Sequence, residues 1–186
     1  MSRVAVLVAV AAAVLATGCG SSVGDPVRIL PCTPAEDRLD KRMVLMAQSV
    51  PTASAVPCMR VALDDWFLDD LDSWDGGTNI EFSRLIDQVA LQIDLTETCD
   101  TGAATETATD QPGTRRFDER IRTGGSYRDQ RFYLLPGACM TYTFALTGTG
   151  AEQAADDISR AIGLIGRDQL ADQVRRYSGG RIQLDP

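Results

Sequence analysis

The densest group of side chains able to do chemistry lies in Asp64-Asp65-Trp66-Phe67-Leu68-Asp69-Asp70-Leu71-Asp72-Ser73-Trp74-Asp75-Gly76-Gly77. Six aspartates interleave there with three aromatics. Clustered carboxylates hold Ca²⁺ when they supply roughly six to eight oxygens, and Asp69, Asp70, Asp72 and Asp75 are the candidate metal ligands. An EF-hand loop counted from Asp70 would place Trp74 fifth and Asp75 where a glycine belongs, so that motif is not met. Carboxylates beside aromatic faces also describe sugar sites, and two suitably spaced acids can cleave a glycosidic bond. The plainer reading, which we favour, is that Trp66, Phe67 and Leu68 pack the core while the aspartates face water.

A second group is basic. Arg115, Arg116, Arg120 and Arg122, with Arg128 and Arg131 close behind, fall in or beside a stretch poor in large apolar residues. Guanidinium forks match phosphate and carboxylate groups, so the first four are candidate ligand-binding residues for a phosphorylated wall polymer or a partner protein. Local pairing with Asp118, Glu119 or the aspartates above is the simpler expectation, at about 0–1 kcal/mol per exposed pair. Tyr127, Tyr133 and Tyr142 read as packing. Thr101, Thr105, Thr107 and Thr109 read as solvated loop.

The chain has no histidine. Ser-His-Asp and Cys-His catalysis and His-ligated zinc are therefore excluded, along with any base that titrates near neutrality unperturbed. Carboxylates, tyrosines or a desolvated Lys41 remain. No catalytic residue is assigned and no cofactor is expected. The formal charge of −8 argues against nucleic-acid binding, which depends on Lys and Arg neutralising phosphate.

The N-terminus carries the most specific signal. Arg3 precedes Val4–Ala16, an unbroken apolar run of 13 residues. A bilayer-crossing helix needs roughly 20, so the run suits an export signal. Ala16-Thr17-Gly18-Cys19 resembles the lipobox of bacterial lipoproteins, although Leu15 stands one place earlier than that family's usual leucine. The resemblance implies cleavage before Cys19 and acylation of its sulfur, palmitate being a typical chain. One acyl chain holds only marginally, and two or more hold stably. We expect residues 1–18 to be a signal peptide, 19–31 a lipidated flexible tether, and 32–186 one globular domain. The mature chain would keep 168 of 186 residues, with 17 basic and 26 acidic groups.

Four cysteines follow, Cys32, Cys58, Cys99 and Cys139. An even number in an exported chain reads as disulfides, with three connectivities open. We expect Cys32 with Cys58 and Cys99 with Cys139, because the latter two end one predicted strand and begin another. Thr33-Pro34-Ala35-Glu36 suggests a helix start within residues 32–50, with Leu39, Met43 and Met46 forming its apolar stripe. Asn79–Ser83 and Gln88–Thr98 alternate as strands, the latter pointing Val89, Leu91, Ile93 and Leu95 one way. Arg131–Leu135 and Cys139–Thr147 flank Pro136-Gly137 as a hairpin. Residues 100–130 read as a long loop. Ala155, Ile158, Ile162 and Ile165 suggest one helix. Asp168 is the expected cap of another, which is expected to stop at Gly179-Gly180.

The fold class expected is α+β: an antiparallel sheet with helices packed on one face, stabilised by disulfides. Residues 48–58 and 131–144 resemble segments of uncharacterised actinobacterial lipoproteins, a likeness that supports location and disulfides and implies no catalytic residue. The function expected is that of a lipid-anchored protein on the outer face of the cell membrane, binding an envelope protein or wall polymer without catalysis. The alternative is a carboxylate-dependent hydrolase of wall glycans.

Overall fold

In chain order the elements are α1 (Lys41–Ser49), β1 (Ala55–Met59), β2 (Trp66–Trp74), β3 (Gly77–Arg84), β4 (Asp87–Thr96), β5 (Thr105–Thr107), β6 (Arg115–Arg120), β7 (Ser126–Leu135), β8 (Ala138–Thr147), α2 (Ala151–Ala161), β9 (Ile162–Gly166) and α3 (Arg167–Ser178). The computed structural model describes residues 30–33, 40–121 and 126–184. The segment expected to be a signal peptide, Cys19, most of the expected helix start at Thr33–Glu36, Leu39 and Arg122 lie outside the described residues. Among those described, no helix is long and apolar enough to cross a membrane.

Two largely alternating strands lie side by side at the centre of the fold. β4 and β8 pair antiparallel, Ile93 opposite Tyr142 and Leu95 opposite Met140. Each has a β-hairpin neighbour, and the result is a seven-stranded antiparallel sheet in the order β2-β3-β4-β8-β7-β6-β5. Period-two alternation puts Leu91, Ile93, Leu95, Met140, Tyr142, Phe144 and Leu146 on one buried face. Gln92, Asp94, Thr141 and Thr143 lie on the other, wetter face.

The expected hairpin at Pro136-Gly137 is present, with Leu135 opposite Ala138. Gly137 is required there twice over. Its φ is 75°, a region that costs other residues strain, and an added Cβ would lie 1.8 Å from the Thr52 carbonyl oxygen.

Against the buried face pack α1, through Met43, Met46 and Ala47, and α2, through Ala155 and Ile158. A separate two-stranded ribbon of β1 and β9 joins the same core. The architecture is therefore sheet-dominant. The expected antiparallel sheet is present, and the expectation of helices packed on one face is modified by that ribbon, which shares the core with them. Its origin lies in residues 162–166, which were expected to continue a helix. Ile162-Gly163-Leu164-Ile165-Gly166 has two glycines, which weaken a helix, and it pairs instead with β1. Gly163 is buried and packs closely, because a Cβ there would meet Arg60 at 2.6 Å and the Cys32 sulfur at 3.1 Å.

Three further expectations change. Residues 100–130 do not form one loop. They contain β5, β6 and the start of β7, and Gln111 is fully buried. Val89 faces outward because the β3–β4 register shifts between Phe82 and Arg84, which breaks the alternation. Leu30 and Pro31, expected in the tether, belong to the folded body: Leu30 is buried and Pro31 bridges to Met59.

Cys32 and Cys58 lie at disulfide distance with Cα atoms 4.9 Å apart, and Cys99 and Cys139 likewise at 5.7 Å. Both match the expected pairing and both fall in the usual range. The second closes a separation of 40 residues, and a bridge of that kind contributes about 2–4 kcal/mol. Replacing Cys99 and Cys139 together by Ser is expected to lower the thermal midpoint by roughly 5–15 °C. A non-reducing peptide map of the parent should yield the Cys99–Cys139 peptide, and a dominant Cys58–Cys99 peptide would contradict the fold.

Candidate functional site

The aspartate-rich segment is a single strand, β2, followed by its turn into β3. A bulge at Asp69 shifts the register between Leu68 and Asp70, so Trp66, Leu68 and Leu71 all stay on the core side. Asp70 and Asp72 stand exposed, and Asp69 accepts a hydrogen bond from Ser83. At about 3.3 Å per residue, Asp69 and Asp75 lie about 20 Å apart along the strand. Among the described residues, no three Asp, Glu or Cys side chains are grouped to hold a metal. Trp66 is only 3% exposed and the Arg84 guanidinium lies 5.5 Å over its ring, so it offers no open face to a sugar.

The arginine group is divided by strand alternation. Arg115 lies over Phe117 and is bonded to Glu106, both partners well exposed. Arg116 points the opposite way, over Tyr133, and bonds Asp118 at 2.7 Å. Arg120 reaches Glu152 on α2. Each described member of the set thus has a neighbouring carboxylate, and the set does not converge on one patch.

A feature that sequence reasoning missed sits inside the sheet's core face. Arg131 is 2% exposed and Asp129 is 2% exposed. The guanidinium donates through Nε to Asp129 at 2.9 Å, through Nη1 to Ser159 Oγ at 2.9 Å, and through Nη2 to the Tyr127 hydroxyl and to Asp156 at 2.8 Å. Tyr127 in turn donates to Asp129. Asp156 and Ser159 belong to α2, so this network docks the helix on the sheet. Its only sequence signal is phase: Tyr127, Asp129, Arg131 and Tyr133 alternate in step with the apolar face of β8. Beside it the Gln111 amide donates to the carbonyls of Ser159 and Ile162 and accepts from Arg60. It thereby satisfies carbonyls that the end of a helix leaves unpaired.

The other side of α2 forms a wall of a groove of about 510 Å³. Gln153, Ala154, Asp157, Arg160 and Ala161 line it from the helix, facing Val61, Leu63, Asp65, Trp66 and Arg84. The volume lies within the range of small-ligand sites. Arg84 is fixed by Asp65 at 2.9 Å and by buried Asp87 at 3.6 Å, and Asp87 is itself held by Thr147. Arg160 pairs with Asp157. Two cations and two anions therefore line the groove, and its apolar floor carries no net charge. None of these residues except Asp65 and Trp66 drew notice in the sequence, because they come from three distant segments.

Comparison with protein-family models, with curated proteins and with solved structures finds no match to this chain.

Burial disfavours the charged form of three tyrosines and raises the pH at which they ionise. Tyr127 is pushed up to about 12 by burial and by its bond to Asp129. Tyr133 is raised by burial and then by neighbouring Asp110, and Tyr142 by burial and then by Tyr133 and Asp110. The folded state thus keeps protons that the unfolded chain releases above pH 10 or so. Stability is full below that pH and declines as pH rises through about 12. The Tyr142 hydroxyl is buried without a protein partner. Tyr142→Phe is expected to leave stability at pH 7 unchanged or up to about 1 kcal/mol higher, and to flatten the alkaline decline. Urea unfolding at pH 7 and pH 11 measures both.

Arg131→Met would strand the Asp129 carboxylate and is expected to cost about 3–5 kcal/mol. Adding Asp129→Leu should restore most of that loss, and a double variant no more stable than the single one would refute the pairing.

Proposed function

We propose that this chain is a lipid-anchored protein of the outer face of the cell membrane, whose folded domain binds an envelope component in the groove beside α2 without transforming it. The groove carries the binding half of this reading: its apolar floor and balanced charges suit an amphipathic partner with no net charge. The Ala16-Thr17-Gly18-Cys19 segment supports the anchored half, and two cysteine pairs at disulfide distance fit a chain folded in an oxidising compartment. A partner protein suits such a groove better than a phosphorylated polymer, because the described arginines of residues 115–120 already face local carboxylates.

A glycan hydrolase is less well supported. It needs a general acid whose proton is retained by a desolvated setting. The acids of the groove, Asp65 and Asp157, have side chains 48% and 47% exposed, and each is paired with an arginine.

Two variants test the reading together in intact cells. Cys19→Ala is expected to move the protein from the membrane to the soluble fraction. Gln153→Trp, at an exposed position on the groove wall, should keep membrane attachment and melting temperature while losing the crosslinked envelope partner seen with the parent. A parent protein whose mass shows no acyl group on Cys19 would refute the anchor. Glycan cleavage that disappears with Asp65→Asn or Asp157→Asn would establish the hydrolase in its place.

A further inference from the structure

The turn joining β3 to β4 consists of Leu85-Ile86. Two-residue hairpin loops favour Asn, Asp and Gly. Here two large apolar side chains occupy the turn instead, and no non-glycine residue among those described adopts a positive φ. Leu85 is 80% exposed and Ile86 67%, the highest values among the exposed large hydrophobic residues. Neither turn geometry nor the core accounts for them. Val61 and Val89, also exposed, lie at the same end of the sheet, Val61 lining the groove with Arg84.

Three observations point to what covers this tip. Among the described residues at this end of the sheet, Arg84 is bonded to Asp65 and Asp87, Arg120 to Glu152 and Arg160 to Asp157. Cations matched by carboxylates in this way give anionic lipid little net attraction. Leu30, where the N-terminal segment enters the folded body, lines a small apolar cavity with Phe82. Phe82 is three residues from Leu85, about 10 Å along the strand. Finally, the 11 residues from Cys19 to Leu30 can span at most about 40 Å. A lipid on Cys19 and the Leu85–Ile86 tip thus reach the same surface.

We propose that Leu85 and Ile86 form a membrane wedge that enters the headgroup region of a zwitterionic bilayer. Together with the lipid it orients the domain, fixing how the groove is presented. The orienting role rests on the anchored reading, whereas insertion of the tip does not.

The full-length chain acylated at Cys19, placed on phosphatidylcholine vesicles containing tail-brominated lipid, carries Leu85→Trp as a reporter. The new tryptophan is expected to emit further to the blue and to be quenched by bromine well beyond the parent's Trp66 and Trp74. In the unacylated Cys19→Ser chain, Leu85→Asp with Ile86→Asp should weaken vesicle partition about tenfold, with the melting temperature unchanged. Added phosphatidylglycerol should not strengthen binding. Acylated protein held on vesicles without quenching at position 85 overturns the wedge and leaves the anchor standing. A blue shift without bromine quenching, accompanied by a doubled mass in sedimentation, assigns the tip to a second copy and also overturns it. Quenching in a chain that proves never to be acylated supports the wedge and removes the anchor.

Discussion

A guanidinium inside a hydrophobic core must be surrounded by acceptors, and much of this structure is arranged around that demand. Removing a charge from water costs several kcal/mol unless partners replace the lost hydration. Arg131 sits beneath α2 with its fork engaged by Asp129, Tyr127, Asp156 and Ser159, and its plane over Phe144. Two of those partners come from the strand that carries it and two from the helix. The charge therefore cannot be satisfied until helix and sheet have met. A well-packed apolar cluster would hold the helix at least as firmly, but with more freedom to slide. Fixed donors and acceptors define one position.

That position decides the groove. α2 presents Ala155, Ile158 and Ser159 to the core and Gln153, Ala154, Asp157 and Arg160 to the groove. With helical spacing, fixing one face fixes the other. Gln111 contributes from a third direction by holding the carbonyls where α2 passes into β9. The proposed binding surface thus combines the fixed wall of α2 with Val61, Leu63 and Asp65 from the connection between β1 and β2. Its opposite wall is equally constrained, since Arg84 is clamped between Asp65 and Asp87 and stacked on Trp66.

Much of the sheet was legible from residue order because alternation in a half-buried strand is a local pattern. Leu91, Ile93 and Leu95, or Tyr142, Phe144 and Leu146, announce their face without reference to anything distant. The turn at Pro136-Gly137 was equally plain, and so was the helix stop at Gly179, whose φ of 62° suits glycine. The failures have physical causes. β6 was hidden because its residues are mostly charged: Arg116 and Asp118 occupy positions where apolar residues mark a buried face and pair with each other and with Asp110, while Arg120 stands exposed beside Glu152. β9 was hidden because Ile158, Ile162 and Ile165 follow a helical spacing and show no strand alternation, and only the pairing with β1 reveals the strand. Val89 was misassigned because a bulge leaves no mark in a periodic pattern.

Residue order alone determined the chemistry that is excluded, through the absence of histidine, and the number of cysteines available for pairing. It also carried the lipobox-like segment ending at Cys19, on which the proposed location rests. These depend only on which residues are present and on their nearest neighbours. Tertiary structure decided which carboxylates meet which arginines, and that Asp64–Asp75 are spread along a strand instead of gathered around a point. It also decided that a groove forms where three separated segments converge. The reason is that a charge acts over a few ångströms of space, whatever its distance along the chain, so its partners exist only once the chain has closed on itself.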